Sequence, residues 1–120
     1  VLLETSGALD IASVDSRVRI VMDIKCPSSG EATRMRWENL TVLQTKDEAK
    51  FVLASRDDYE YARRVMKEHN LAAHCTVLLS TAYGAIDPRT VAEWMLRDRL
   101  PARFQLQLQK FIWSPEQRGV

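Results

Sequence analysis

The stretch Val18-Arg19-Ile20-Val21-Met22-Asp23-Ile24-Lys25 decides the fold. It is rich in β-branched residues, short enough to be a strand, and followed at once by Cys26-Pro27, where a strand would have to stop. Working outward, similar runs recur. Lys50 to Ala54 (KFVLA) and Cys75 to Leu79 (CTVLL) are near-continuous apolar segments, the pattern of strands covered on both faces. Arg103 to Gln109 (RFQLQLQ) alternates strictly. Such a strand sends Phe104, Leu106 and Leu108 to one face and Gln105, Gln107 and Gln109 to the other. Val1 to Glu4 already reads as strand, and an apolar strand opening so abruptly leads us to expect missing residues upstream.

Helical patterns fill the gaps. Asp57 and Glu60 form a capping-box-like start, and Ala62, Val65, Met66 and His69 follow at helical spacing. Asn70 is suited to a left-handed stop. Asp87 before Pro88 opens a second helix, with a side-chain acceptor at the cap and a residue whose missing N–H costs nothing there. Val91, Ala92, Met95 and Leu96 supply its apolar face, and Pro101 ends it. A shorter helix is expected between Ile11 and Arg17, and another near Trp37. The alternation predicts an α/β fold of about five parallel strands in one unit over 1–120, its sheet open or curved into a barrel. In both architectures ligands bind beyond the carboxyl ends of the strands.

Composition removes several classes of function. A formal net charge of +1 argues against nucleic-acid binding driven by overall charge. No apolar run approaches the roughly 20 residues of a membrane helix. Two cysteines, Cys26 and Cys75, make neither a disulfide scaffold nor a four-thiolate metal site. The chain reads as soluble and cytoplasmic, with no signal-peptide pattern ahead of its first strand. No phosphate loop, nucleophile elbow, HExxH or CxxC is present.

Chemistry is therefore sought at the strand ends. These carry Glu4-Thr5-Ser6-Gly7, Asp23-Ile24-Lys25 with the following Cys26 to Glu31, Ser80-Thr81-Ala82-Tyr83-Gly84, and Gln107-Leu108-Gln109-Lys110. They are polar, and their glycines would let backbone approach a ligand. The glutamine row suggests a polar lumen with donors and acceptors for a heterocycle, or else an edge strand facing water. Asp23 and Lys25 leave one face together, as a charged pair at a ligand site or as a salt bridge across a barrel mouth. His69 and His74 read as structural or surface residues. Trp37, Trp94 and Trp113 read as packing residues, with Trp113 near enough to the chain end to line a site.

Several of these motifs resemble one family. Glu4-Thr5-Ser6-Gly7, the run Met22-Asp23-Ile24-Lys25-Cys26-Pro27-Ser28-Ser29-Gly30-Glu31, Arg36-Trp37-Glu38-Asn39-Leu40, Lys50-Phe51-Val52 and Phe104-Gln105-Leu106-Gln107-Leu108-Gln109-Lys110 look like the 7-carboxy-7-deazaguanine synthases. These are radical S-adenosylmethionine lyases of queuosine and deazapurine biosynthesis. The resemblance spans the chain in order, and is to the C-terminal part of such an enzyme.

The resemblance implies a partial (βα) barrel, usually a homodimer, with a [4Fe–4S] cluster, S-adenosylmethionine and a magnesium ion. It implies conversion of 6-carboxy-5,6,7,8-tetrahydropterin to 7-carboxy-7-deazaguanine by radical ring contraction. By motif position, Asp23, Ile24 and Lys25 would contact S-adenosylmethionine, as would Ser80, Thr81, Ala82 and Tyr83. Glu4 would hold the guanidine-like edge of the pterin, with Thr5, Gln107 and Gln109 beside it.

The family's cluster-binding cysteines, magnesium ligand and glycine-rich motif are expected upstream of Val1, so the 120 residues alone are expected to hold no cluster and to be inactive. Gln109 stands where many relatives carry His, which removes a titratable group. Two other readings share these residues: a radical activating enzyme acting on a partner protein, and a non-catalytic half-barrel that binds ligands or oligomerises.

Overall fold

The computed structural model describes residues 2–5, 11, 15, 17–30 and 35–106. Five strands form one sheet: β1 (Leu2–Thr5), β2 (Arg19–Ile24), β3 (Glu48–Leu53), β4 (Thr76–Thr81) and β5 (Arg103–Phe104). Their spatial order is their chain order, and every neighbouring pair is parallel. Each parallel step needs a crossover, and crossovers of one hand that always step the same way lie on one face of the sheet. A doubly wound sheet would need a reversal of strand order, which these strands do not make. The order fits a partial (βα) barrel, one of the two sheet forms that the alternation left open and the one that the resemblance implies.

Burial follows from that one-sidedness. Ile20, Met22 and Ile24 of β2, Ala49, Phe51 and Leu53 of β3, and Val77 and Leu79 of β4 are buried beneath the helices. The alternate residues, Val21 and Asp23, Lys50 and Val52, Thr76 and Leu78, are only half-buried on the inner face. The expectation that Lys50–Ala54 and Cys75–Leu79 are covered on both faces is therefore corrected. Val52 and Leu78 made those runs look continuous, yet each lies on the face without helices.

Two helices pack on the covered side, α1 (Arg56–Glu68) and α2 (Pro88–Asp98). The cap of α1 is Ser55, not Asp57: the Ser55 hydroxyl accepts from the Asp58 N–H at 3.2 Å. Asn70 takes the left-handed conformation expected of it, φ 48° and ψ 45°. α2 starts as its Asp-Pro pair predicted, with the Asp87 carboxylate accepting from the Arg89 N–H at 2.9 Å. It ends before Pro101, at Arg99 in the left-handed region, where Leu100 N–H donates to Met95 O and Arg99 N–H to Leu96 O. That bond pair is the Schellman pattern, without its usual glycine. Short 3-10 turns occupy Pro27–Ser29, Trp37–Thr41 and Leu71–Ala73, the second meeting the expectation of helix near Trp37. The helix expected between Ile11 and Arg17 lies largely outside the described residues.

The helices are locked to each other through Tyr59. Its hydroxyl donates to Asp98 at 2.7 Å, and the Arg56 guanidinium lies over both Tyr59 and Trp94, 5.1 and 4.5 Å from the ring centres. At the amino-terminal rim, buried Asp47 accepts from Ile20 N–H, Gln44 N–H and the Lys46 ammonium, joining β2 to the turn before β3. No helix among the described residues is long and apolar enough to cross a membrane.

Candidate functional site

The carboxyl-terminal rim of β2, β3 and β4 carries a cavity of about 280 Å³. Its walls come from the ends of those strands: Ile24, Val52, Ala54 and Ala82 are apolar, while Asp23, Lys25, Ser28 and Asp58 bring polar groups. The Pro27–Ser29 turn forms because Pro27 supplies a helical φ and Gly30 then leaves it at φ +76°, a conformation L residues rarely adopt. Ser28 N–H and Ala54 N–H both donate to the buried Asp58 carboxylate, at 3.0 and 2.8 Å, which fixes two loops around the opening. Gly84, past the end of β4, likewise has φ +73°. A Cβ on either glycine would meet no protein atom within 4 Å, so within the protein it is backbone conformation and not packing that requires them.

A second cavity, about 310 Å³, opens on the inner face between β1, β2 and β3. Glu4, Thr5, Val21, Asp23 and Lys50 line it. Asp23 borders both cavities and is ion-paired with Lys25 at 2.6 Å. The two charges do leave the strand on one face, and they neutralise each other at the boundary between the cavities.

The predicted site residues thus fall into distinct positions. Glu4, Thr5 and Asp23 meet in the second cavity, and Asp23, Ile24, Lys25 and Ala82 in the first. Ile24 and Ser80 have fully buried side chains, and Thr81 is buried too, so a ligand would reach Ile24 through its backbone. Tyr83 is exposed and lines neither cavity. Gln107 and Gln109 lie outside the described residues, as do Lys110 and Trp113. Asp58 and Lys50 were given no site role by their sequence context. The spacing of Ser55 and Asp58 was a usable signal for the first; Lys50 becomes visible only through its register with Asp23.

Neither cysteine is a metal or nucleophile candidate. Cys26 follows the carboxyl end of β2 and Cys75 precedes the amino end of β4, on opposite rims as expected. Burial pushes the Cys26 thiol up to about 12, with the Asp58 and Asp23 carboxylates adding to the rise. Burial likewise raises Cys75 to about 11. Cluster ligation needs accessible, converging thiolates, so these two do not fit an iron–sulfur site. Among the described residues no three His, Cys, Asp or Glu side chains converge as metal ligands.

His69 stacks on Trp37 with ring centres 5.0 Å apart and planes 5° from parallel, which gives Trp37 the packing role and His69 the structural role expected of them.

No family model matches the chain, and no solved structure matches it. Curated proteins do. It is 45% identical over 123 residues to "7-carboxy-7-deazaguanine synthase" of Chlorobaculum tepidum, covering 100% of this chain and 56% of that protein. It is 41% identical over 133 residues to the protein of that name from Koribacter versatilis, again over 100% of the chain and 59% of the relative. A Methanospirillum hungatei protein of the same name is 40% identical over 115 residues, covering 96% of the chain and 47% of the relative. The chain spans about half the length of the curated relatives it matches.

Proposed function

We propose, for a chain similar along its whole length to the 7-carboxy-7-deazaguanine synthases, that it supplies the ligand-binding C-terminal part of such an enzyme. The reaction is conversion of 6-carboxy-5,6,7,8-tetrahydropterin to 7-carboxy-7-deazaguanine with loss of ammonia. The names of the relatives favour this reading over a radical activating enzyme or a non-catalytic module.

The observation that carries it is the position of Asp23 at the boundary of two adjoining cavities. A cofactor cradled at Asp23 to Lys25 and a substrate held by Glu4 would then be immediate neighbours, as hydrogen transfer between them requires. The first cavity suits part of a nucleoside-sized ligand, with apolar walls for a ring and a hydrogen-bonding rim. S-adenosylmethionine, when bound, supplies hydrogen-abstracting radical chemistry. This chain's residues orient the partners: Glu4 accepts paired N–H bonds from the pterin edge, and the backbone of Asp23 to Lys25 holds the cofactor. The cluster and the magnesium ion find no fitting ligand set among the described residues. A homodimer is part of the proposal because the resemblance implies one.

The test is binding under anaerobic conditions. Glu4→Gln should weaken the pterin by on the order of 1.5–3 kcal/mol, the worth of a charge-assisted pair, and leave S-adenosylmethionine affinity unchanged. Equal weakening of both ligands would contradict the assignment.

A further inference from the structure

We propose that Lys50 reads the carboxylate of the pterin substrate, an assignment that rests on the functional reading above. Lys50 occupies the inner face of β3, in register with Asp23 of β2 on one side and Leu78 of β4 on the other. Its neighbours Ala49 and Phe51 point into the core, so alternation directs Lys50 toward the cavity it lines with Glu4 and Asp23.

The charges on this face are otherwise accounted for. Arg19 is ion-paired with Glu48, and Lys25 with Asp23. Arg103 is exposed at the far edge and does not line the cavity. Lys50 alone among the described residues is a half-buried cation lining this cavity, with no carboxylate within 4.0 Å of its nitrogen. An ammonium that no side chain pairs with directly is available to an anionic ligand group.

The spacing suits one bicyclic ligand. Glu4 is in register with Val21, Val21 with Glu48, and Lys50 lies two residues beyond Glu48. Two strand spacings and two residue rises put the Glu4 and Lys50 Cα atoms about 12 Å apart. Both side chains project from the same face of the sheet, so their charged heads stand about that far apart, the scale of a ring system with donors at one end and a carboxylate at the other. Asp23 does not compete for the ammonium strongly, because Lys25 already neutralises it.

The experiment compares two probes on the full chain: 6-carboxytetrahydropterin and the tetrahydropterin lacking the carboxyl group, each titrated anaerobically. The unaltered chain should bind the carboxylated compound at least about tenfold more tightly, the worth of one charge-assisted bond. Lys50→Met should abolish that preference while binding the uncarboxylated compound as well as before, and Lys50→Arg should keep part of it. Equal loss of both pterins in Lys50→Met, or a preference that survives the substitution, overturns the assignment. If the unaltered chain binds both pterins but without preference, Lys50 is refuted while the functional reading stands. If it binds neither, the functional reading fails and takes the Lys50 assignment with it.

Discussion

The carboxylate of Asp58 accepts a 3.0 Å hydrogen bond from the backbone N–H of Ser28, 30 residues earlier in the chain. Its other oxygen accepts from the N–H of Ala54 at 2.8 Å. One buried side chain at the head of α1 therefore ties the loop after β2 to the loop after β3, where the rim cavity opens. The same residue donates its own N–H to Ser55, so the start of the helix and the shape of the cavity are set together.

Asp58→Ala should orphan both amides and cost about 2–4 kcal/mol, read as a lowered urea midpoint. Asp58→Asn keeps an acceptor and should lose less. A change within about 0.5 kcal/mol for Asp58→Ala, the range of neutral surface substitutions, would contradict this role.

Asp47 predicts a pH dependence. Burial pushes its carboxyl upward, but the Lys46 ammonium and the amides of Ile20 and Gln44 outweigh that and hold it below the usual value. A carboxyl with a lowered folded pKa gives stability that is complete above its unfolded pKa, about 4, and is lost as pH falls through the folded pKa. Urea unfolding of the native chain should therefore weaken below about pH 4. Asp47→Asn should be less stable at pH 7 and should lose less on acidification. Parallel pH profiles for the two would count against the account.

Cys26 and Cys75 should be silent toward alkylating and disulfide-exchange reagents in the folded chain at pH 8, since both are buried and strongly protonated. In denaturant both should react at the rate of free thiols. Rapid modification of either thiol before unfolding would show a reactive site that the burial does not permit.

Much of this fold was legible because its signals are local. Asp87-Pro88 and Asn70 act within one turn, and β-branched runs such as Arg19–Ile24 mark strands without outside help. The start of α1 was misread for a physical reason. Ser55 to Asp58 and Asp57 to Glu60 share the same spacing, and the choice between them is made by bonds that Asp58 accepts, a long-range one from Ser28 N–H and a local one from Ala54 N–H. The coverage of β3 and β4 was misread because an apolar residue such as Val52 does not say whether anything packs on it. Within the site, the strand ends were found from the rule for parallel sheets. The meeting of Glu4, Asp23 and Lys50 depends on strand register, which no local pattern encodes.

The central claim is that these residues furnish the ligand-binding part of a 7-carboxy-7-deazaguanine synthase. It is tested most directly by exchanging the matching segment of the Chlorobaculum tepidum relative for this chain. The purified chimaera is then assayed anaerobically for product from 6-carboxytetrahydropterin. The account predicts 7-carboxy-7-deazaguanine from the chimaera, and its loss when Glu4 is changed to Gln in the same background. A soluble, folded chimaera that binds S-adenosylmethionine but forms no product would contradict it.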